Sequence, residues 1–369
     1  MKKLLKWAKP FILILLIICL LTIIVPVTYS YVPQFIKYVF DNILEQKDSV
    51  NTLPSFLINF FNSFEPIKSV IIVAVTLVVF QIIRGGLMLL NGYLKGVYAE
   101  GISLNMRNKL FRHIGNLSYS YHNNVDSGDL IQRCTSDIET IKGFLSNQLP
   151  QILYIFASLI SGAVQMASIN VGIMLITLCV IPINFIASAI YFKYVSKKFD
   201  EIEKVEANMI TCIEENVNGA RVVKAFANEL EEIEKFDKKN TVYKEEVEHL
   251  NKAMAYFWGF SDGITILQYA VTIGYCIFLA EQNLVGVGDI VVCISYISML
   301  VYPIRSLGRI IGDFGKSIVA AKRVDEILSK DDEYVINGTL KPEIKGNISF
   351  KNVSFKFDDA ESELLNNIS

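Results

Sequence analysis

Six stretches of this chain are too long and too apolar to sit comfortably in water. They lie at about 11–32, 69–90, 149–169, 171–194, 254–280 and 289–307. Each has the roughly twenty residues that a helix needs to cross a hydrocarbon core. The fold class expected is an all-α membrane protein of six spans. The basic start (Lys2, Lys3, Lys6, Lys9) before an apolar run from Phe11 to Val25 resembles a secretory signal. No small-x-small cleavage site follows, and the apolar run continues past Pro26 to Val32, so the segment is read as an uncleaved first span.

Charge sets the expected orientation. Asn170 joins the third and fourth runs, Glu281 to Gly288 the fifth and sixth, and Asp41 to Lys68, with its aromatic stretch Phe56 to Phe64, the first and second. These links carry little basic charge beyond Lys47 and Lys68, whereas the other side carries the basic N-terminus, Arg107, Lys109, Arg112 and many more between Lys193 and Lys252. Basic residues stay inside, so both termini are expected in the cytosol and the chain in the plasma membrane. A formal net charge of −2 argues against a nucleic-acid partner. Neither the cysteines (Cys19, Cys134, Cys179, Cys212, Cys276, Cys293) nor the histidines (His113, His122, His249) have metal-ligand spacing, and no CxxC occurs.

The cytoplasmic links are unusual. Residues 195–253 contain no proline and one glycine, Gly219. Val195, Phe199, Ile202, Val205, Met209 and Ile213 keep helical spacing outward, and Leu230, Ile233, Phe236, Tyr243, Val247 and Leu250 keep it on return. At 1.5 Å per residue such an arm reaches about 25 Å beyond the membrane. The second span extends likewise through Leu104, Phe111, Ile114 and Leu117. After Lys330 come loop residues, then Ile348, Phe350 and Val353, Phe355, Phe357 alternate with polar residues, the pattern of a hairpin turning at Lys351-Asn352. A lone hairpin is marginal. The domains expected are therefore a six-span unit over 1–330, a linker over 331–343, and the first fragment of a second domain over 344–369, cut short.

Four segments carry a resemblance: YSYHNNVDSGDLIQRCTSDIE (119–139), IEENVNGARVVKAF (213–226), LVGVGDI (284–290) with Tyr302-Pro303, and AAKRVDEIL (320–328) with ISFKNVSFKF (348–357). In this order the chain resembles the transmembrane domain of ABC exporters, the bacterial multidrug, lipid and peptide half-transporter type. The resemblance implies a dimer with a second half-transporter, alike or different, and partner nucleotide-binding domains that use ATP and magnesium. It implies coupling segments at Tyr121, His122, Asn123, Gly128 and Asp129 and at Glu215, Asn216, Gly219, Arg221 and Lys224. Gly128 and Gly219 would break the helices so that a short helix lies across each arm tip, Asp129 would cap the returning helix, and Asp289 would cap the sixth span. Pro303 should kink that span. Phe357 stands where the family usually has an adenine-stacking tyrosine. Arg84 and Asp262, charges at membrane depth, with Tyr296, are candidates to line a substrate cavity; the alternatives are that Arg84 snorkels to the inner interface and Asp262 pairs structurally. Tyr256, Phe257, Tyr269 and Tyr296 are more often packing than binding residues.

One departure is serious. No GxxxxGK[ST] loop occurs. Gly315-Lys316-Ser317 imitates its end, but Ile310 stands where the first glycine belongs. The signature motif, magnesium Asp and catalytic Glu are also missing, so this length of chain is expected to hydrolyse no ATP and to bind no cofactor alone. A secondary transporter would predict inverted repeats and broken helices at mid-membrane. A membrane sensor with a helical stalk would predict a continuous coiled coil after the last span. Neither pattern is evident. Substrate has no linear code in such a chain.

Overall fold

The computed structural model describes residues 7–45, 51–331, 333, 343, 345–356 and 362–369. Among them are six helical segments long and apolar enough to cross a membrane. After a 3₁₀ turn at Lys9–Phe11 come α1 (Ile12–Ser30) and α2 (Val32–Tyr38), which passes into a π-helical turn, Val39–Leu44. The short α3 (Ser55–Asn62) precedes α4 (Pro66–Gly115). Then α5 (Tyr119–Asn124), α6 (Ser127–Gln132), α7 (Ile138–Gly143) and α8 (Leu149–Ile169) follow, with π-helical turns at Arg133–Asp137 and Phe144–Gln148. The long pair α9 (Val171–Ala225) and α10 (Glu229–Glu281) is followed by α11 (Val287–Arg305) and α12 (Leu307–Leu328).

The expected hairpin between the third and fourth spans is present. Asn170 takes extended backbone angles, and its side chain accepts the Gly172 amide at 2.7 Å, capping α9. The sixth span starts differently from the expectation. Its N-cap is Gly286, and Asp289 sits one turn inside, where Oδ2 accepts the Gly286 amide at 3.0 Å. Three residues after Pro303 the helix is interrupted at Ser306, where α11 gives way to α12.

Two compact units can be distinguished. The larger comprises Leu16–Lys95 and Asn147–Phe314. In lipid, apolar surface supplies little drive between helices, so close packing and polar contacts must hold them. Gly162 of α8 allows such an approach, since a methyl there would come within 2.9 Å of Leu300 on α11. Ser158 donates to the Met299 carbonyl at 3.0 Å, and Gln268 of α10 to the Thr177 carbonyl of α9 at 3.2 Å. Around these contacts Met166, Ile173, Cys276, Val292, Ile297 and Leu300 form one buried cluster. Phe35, Tyr38, Leu53, Phe61 and Val73 form a second, which joins α2, α3 and α4. Lys37 of α2 pairs with Asp289 at 2.6 Å, both nearly buried, and Asp41 accepts the Gly288 amide at 2.9 Å.

The smaller unit comprises Met1–Leu15, Gly96–Ser146 and Gly315–Ser369. Tyr98, Ile102, Met106 and Leu110 recur every fourth residue along α4 and are fully buried, so one face of α4 is its core stripe. Ile138 and Ile141 of α7 and Ala320, Ala321, Val324 and Ile327 of α12 are buried in the same unit. His113 of α4 hydrogen-bonds to the Ile327 carbonyl at 3.0 Å. Gly315-Lys316-Ser317 lies within α12, and Ser317 donates to the Thr140 carbonyl at 3.4 Å, so it is part of a packed helix. The β-hairpin differs from the expected one. β1 (Val353–Phe355) pairs antiparallel with β2 (Leu365–Ile368) across an irregularity, and Ile348 and Phe350 lie outside either strand. Ile348, Phe350, Phe355, Leu365 and Ile368 are all exposed. Most of the expected linker over 331–343 lies outside the described residues.

The Lys37–Asp289 pair yields a test. Removing one member of a buried ion pair leaves the other uncompensated, at a cost of about 3–5 kcal/mol. Lys37→Met should therefore lower the thermal unfolding midpoint of the purified protein markedly, whereas Lys68→Met, which removes an exposed pairing with Glu65, should shift it little.

Candidate coupling site

The first arm tip lies in the smaller unit. Ser118 caps α5, its hydroxyl accepting the Tyr121 amide at 3.4 Å. Tyr121 and His122 pack edge to face, and His122 hydrogen-bonds to the Ile114 carbonyl at 3.0 Å. Asn123 lies on the same exposed turn. The cap of α6 is Asp126, which accepts the Gly128 amide at 2.8 Å; Asp129, expected as the cap, sits one turn inside the helix. Gly128 is thus helical, and the break falls earlier, at the extended Val125 and Asp126.

Asp129 has a different task. Its two oxygens face Arg133 and Arg323, each at 2.8 Å. Arg133 also donates to the Arg323 carbonyl at 2.9 Å and reaches Glu326 at 3.5 Å. Arg323 approaches Asp137 at 3.4 Å. The SGD segment is therefore ion-paired to α12, the helix that precedes residues 344–369. Hydrogen bonds from Arg133 and then Arg323 hold the Asp129 carboxyl below its usual range. Burial pushes Asp137 the other way, against the pull of the two arginines. Arg323 was invisible as a site residue in the sequence, since one more basic residue on a helix carries no signal of its partners.

The second arm tip lies in the larger unit. α9 runs unbroken through Gly219 to Ala225, so no separate crosswise helix forms over 213–221. The chain turns instead at Phe226–Asn228, where Ala227 takes a left-handed φ of 51°. Ion pairs and polar bonds lace the two helices together. Lys224 meets Glu229 at 2.8 Å, Glu215 meets Lys235 at 3.2 Å, and Asn216 donates to Glu232 at 2.8 Å. Arg221 is exposed. Three glutamates in the first turn of α10 suit its positive end. A groove of about 510 Å³ runs between the helices, floored by Val217, Ala220, Val223, Ile233 and Phe236. Phe226 and Leu230 at the turn are 79% and 84% exposed.

The charges at membrane depth are placed unevenly. Asp262 pairs with Arg305 at 2.6 Å, and its own side chain is mostly exposed. Arg305 is buried; it also donates to the Ser261 carbonyl and the Thr265 hydroxyl, and lies against the rings of Trp258 and Tyr302. Arg84 lies over the Tyr29 ring, 4.7 Å from its centre. Tyr296 is wholly buried, donating to the Ser30 carbonyl at 2.7 Å and accepting from Gln34 at 2.9 Å. Its ring packs inside this chain. Tyr256 is exposed, Phe257 stacks on Tyr191, and Tyr269 hydrogen-bonds to Ser298. Phe357 lies outside the described residues.

Residues 15–304 match the family described as ABC transporter transmembrane region. The chain is 27% identical over 373 residues to the ABC-type oligopeptide transporter ABCB9 of Mus musculus, covering 100% of this chain and 46% of that protein. It is 27% identical over 294 residues to the Uncharacterized ABC transporter ATP-binding protein YknU of Bacillus subtilis, covering 78% and 50%. With the ATP-dependent lipid A-core flippase of Pseudoalteromonas translucida it shares 26% identity over 290 residues, covering 78% and 49%. The chain spans about half the length of the curated relatives it matches.

The Asp129 cluster makes a pH prediction. A carboxyl whose pKa is lowered on folding stabilises the fold above its unfolded pKa, and the contribution vanishes as pH falls through the folded value. The cluster should hold at neutral pH and weaken in acid, below the ordinary carboxylate range. Asp129→Asn should cost about 1–2 kcal/mol at pH 7, because partly exposed charged hydrogen bonds are screened. Acid unfolding followed by circular dichroism should then show a smaller loss between pH 5 and pH 2 in the variant than in wild type.

Proposed function

We propose that this chain, which belongs to the family of ABC transporter transmembrane regions, is the membrane-spanning part of an ATP-driven exporter that pairs with a second such chain and with nucleotide-binding domains. The observation that carries the reading is the tip of the α9–α10 arm. Beyond the apolar runs, over residues 195–253, both helices are densely charged, yet Val217, Val222, Phe226 and Leu230 stand exposed toward the end. Large apolar side chains left exposed toward the end of a charged arm suit a surface that meets another protein. Family membership implies a nucleotide-binding domain as that protein. ATP and magnesium would be held there and would supply the driving energy.

This chain's own part is to convert a push at its tips into a change of access. Such a change is a two-state equilibrium, biased by whatever binds one state better. A tip on α9 and α10 moves with helices of 55 and 53 residues, which carry displacement as rods. The ion cluster from Asp129 to Arg323 links the other tip to α12. The break at Ser306 is the natural place for the sixth span to bend, and Arg305 anchors its upper piece to α10. The cargo is read as a drug, lipid or peptide-like solute leaving the cytosol. Both termini are read as cytosolic and the membrane as the plasma membrane.

Coupling is testable in the transporter assembled with its nucleotide-binding domains. Phe226→Ser with Leu230→Ser should lower transport per ATP hydrolysed about tenfold, the size of a coupling loss near 1.4 kcal/mol, with substrate affinity nearly unchanged. Loss of substrate binding with stimulation of hydrolysis intact would sink the assignment.

Orientation has its own test. Cys212 is fully buried and Cys134 half-buried, with its thiol pKa raised by burial, so neither is a good reporter. Lys238 is exposed on the arm. Lys238→Cys should react with a membrane-impermeant maleimide in inside-out vesicles and stay unlabelled in intact cells; labelling in intact cells would reverse the topology.

A further inference from the structure

A cleft of about 590 Å³ opens in the smaller unit, lined by Phe11, Leu104, Asn105, Asn108, Lys109 and Arg112. We propose that it binds the headgroup of an anionic phospholipid, with the phosphate between Lys109 and Arg112 and the first acyl carbons toward Phe11, where the first apolar run begins.

Four observations point there. Among the described residues, the lining holds two cations and no carboxylate. The nearby acids are engaged elsewhere: Glu139 with Arg107 at 2.6 Å, and Glu100 with Lys142 at 3.2 Å. The floor is apolar and close-fitting, because the Phe11 ring lies on bare backbone at Gly101, where a methyl would come within 2.8 Å of it. The cleft also reaches the start of the first apolar run, at Phe11. Phe11 immediately precedes α1, whose Ile12 and Leu13 are exposed, and the Trp7 ring lies 5.5 Å from the Lys109 ammonium.

The helix geometry supports the same occupant. Positions 101, 104, 105, 108 and 112 share one face of α4. Helical side chains lean toward the N-terminus of their helix, so Lys109 and Arg112 lean back toward Phe11. Asn105 and Asn108 offer neutral donors to ester oxygens, and a guanidinium can grip phosphate through two bonds. Basic groups at an interface attract anionic headgroups in this way. The proposal needs only that the chain lies in a membrane and does not depend on the coupling scheme.

The test uses the purified protein in detergent, titrated with phosphatidylglycerol and, in separate arms, with phosphatidylcholine and inorganic phosphate. Native mass spectrometry reads the lipid retained, and thermal unfolding reads stabilisation. Phosphatidylglycerol should be retained selectively, and retention should fall roughly fivefold per charge removed in Lys109→Gln and Arg112→Gln. Arg112→Lys should keep most of it, and Lys238→Gln, which removes an exposed charge on another helix, should keep all. Circular dichroism and monodisperse elution check folding; if the combined Lys109→Gln and Arg112→Gln variant fails them, the two single variants decide. Wild-type retention in the glutamine variants, equal retention of phosphatidylcholine, or equal stabilisation by inorganic phosphate would each overturn the site.

Discussion

A peptide group in hydrocarbon has no water to bond, and each one left unpaired costs several kcal/mol. That constraint explains both the length of the helices and the care taken where they stop. At the α8–α9 hairpin, the Asn170 side chain replaces the missing partner of the Gly172 amide. At the start of α11 two aspartates do the same work, Asp289 for the Gly286 amide and Asp41 for that of Gly288. Asp41 comes from a different helical segment. Capping there also ties the first loop to the last span.

The same constraint decides which helices become neighbours. Lipid tails are as apolar as leucine, so apolar faces alone do not choose between partners. The choice falls to a few buried polar groups. Tyr296 joins α11 to the end of α1 and to α2 through Ser30 and Gln34. Arg305 joins it to α10 through Asp262, Ser261 and Thr265. Lys37 joins it to α2. All three contacts involve α11, the span interrupted at Ser306, so the helix best placed to bend is also held on either side of its centre.

Beyond the apolar runs the chemistry changes from burial to charge. The α9–α10 arm is laced by exposed ion pairs that are individually weak in water, and its stiffness comes from their number and from continuous helix. The Asp129–Arg133–Arg323 cluster is tighter, because one carboxylate serves two guanidinium groups and one guanidinium also bonds backbone. An arm end fixed by charge and an arm end capped by exposed phenylalanine and leucine are different devices. The first holds a helix of its own unit; the second is left open.

Six spans, a hairpin at Asn170 and long charged arms were legible in the sequence, because apolar run length and 3.6-residue spacing are local properties that each segment carries alone. The helix breaks were read less well. Glycine permits a break without requiring one, and Gly219 stays helical because nothing at that position competes with the backbone ladder, while the turn falls at Phe226–Asn228. The capping residues were misplaced for a similar reason: Asp126 and Asp129 are both able to cap, and Asp129 is taken up by Arg133 and Arg323 instead. Tyr296 and Asp262 looked alike as polar groups at membrane depth, yet one is sealed inside the chain and the other holds Arg305. The sequence by itself determined which segments enter the membrane, since that depends on transfer free energy summed along one helix. Which polar groups meet, and which apolar tip stays bare, only the tertiary structure decided, because those outcomes depend on pairs of residues as much as 266 positions apart in the chain.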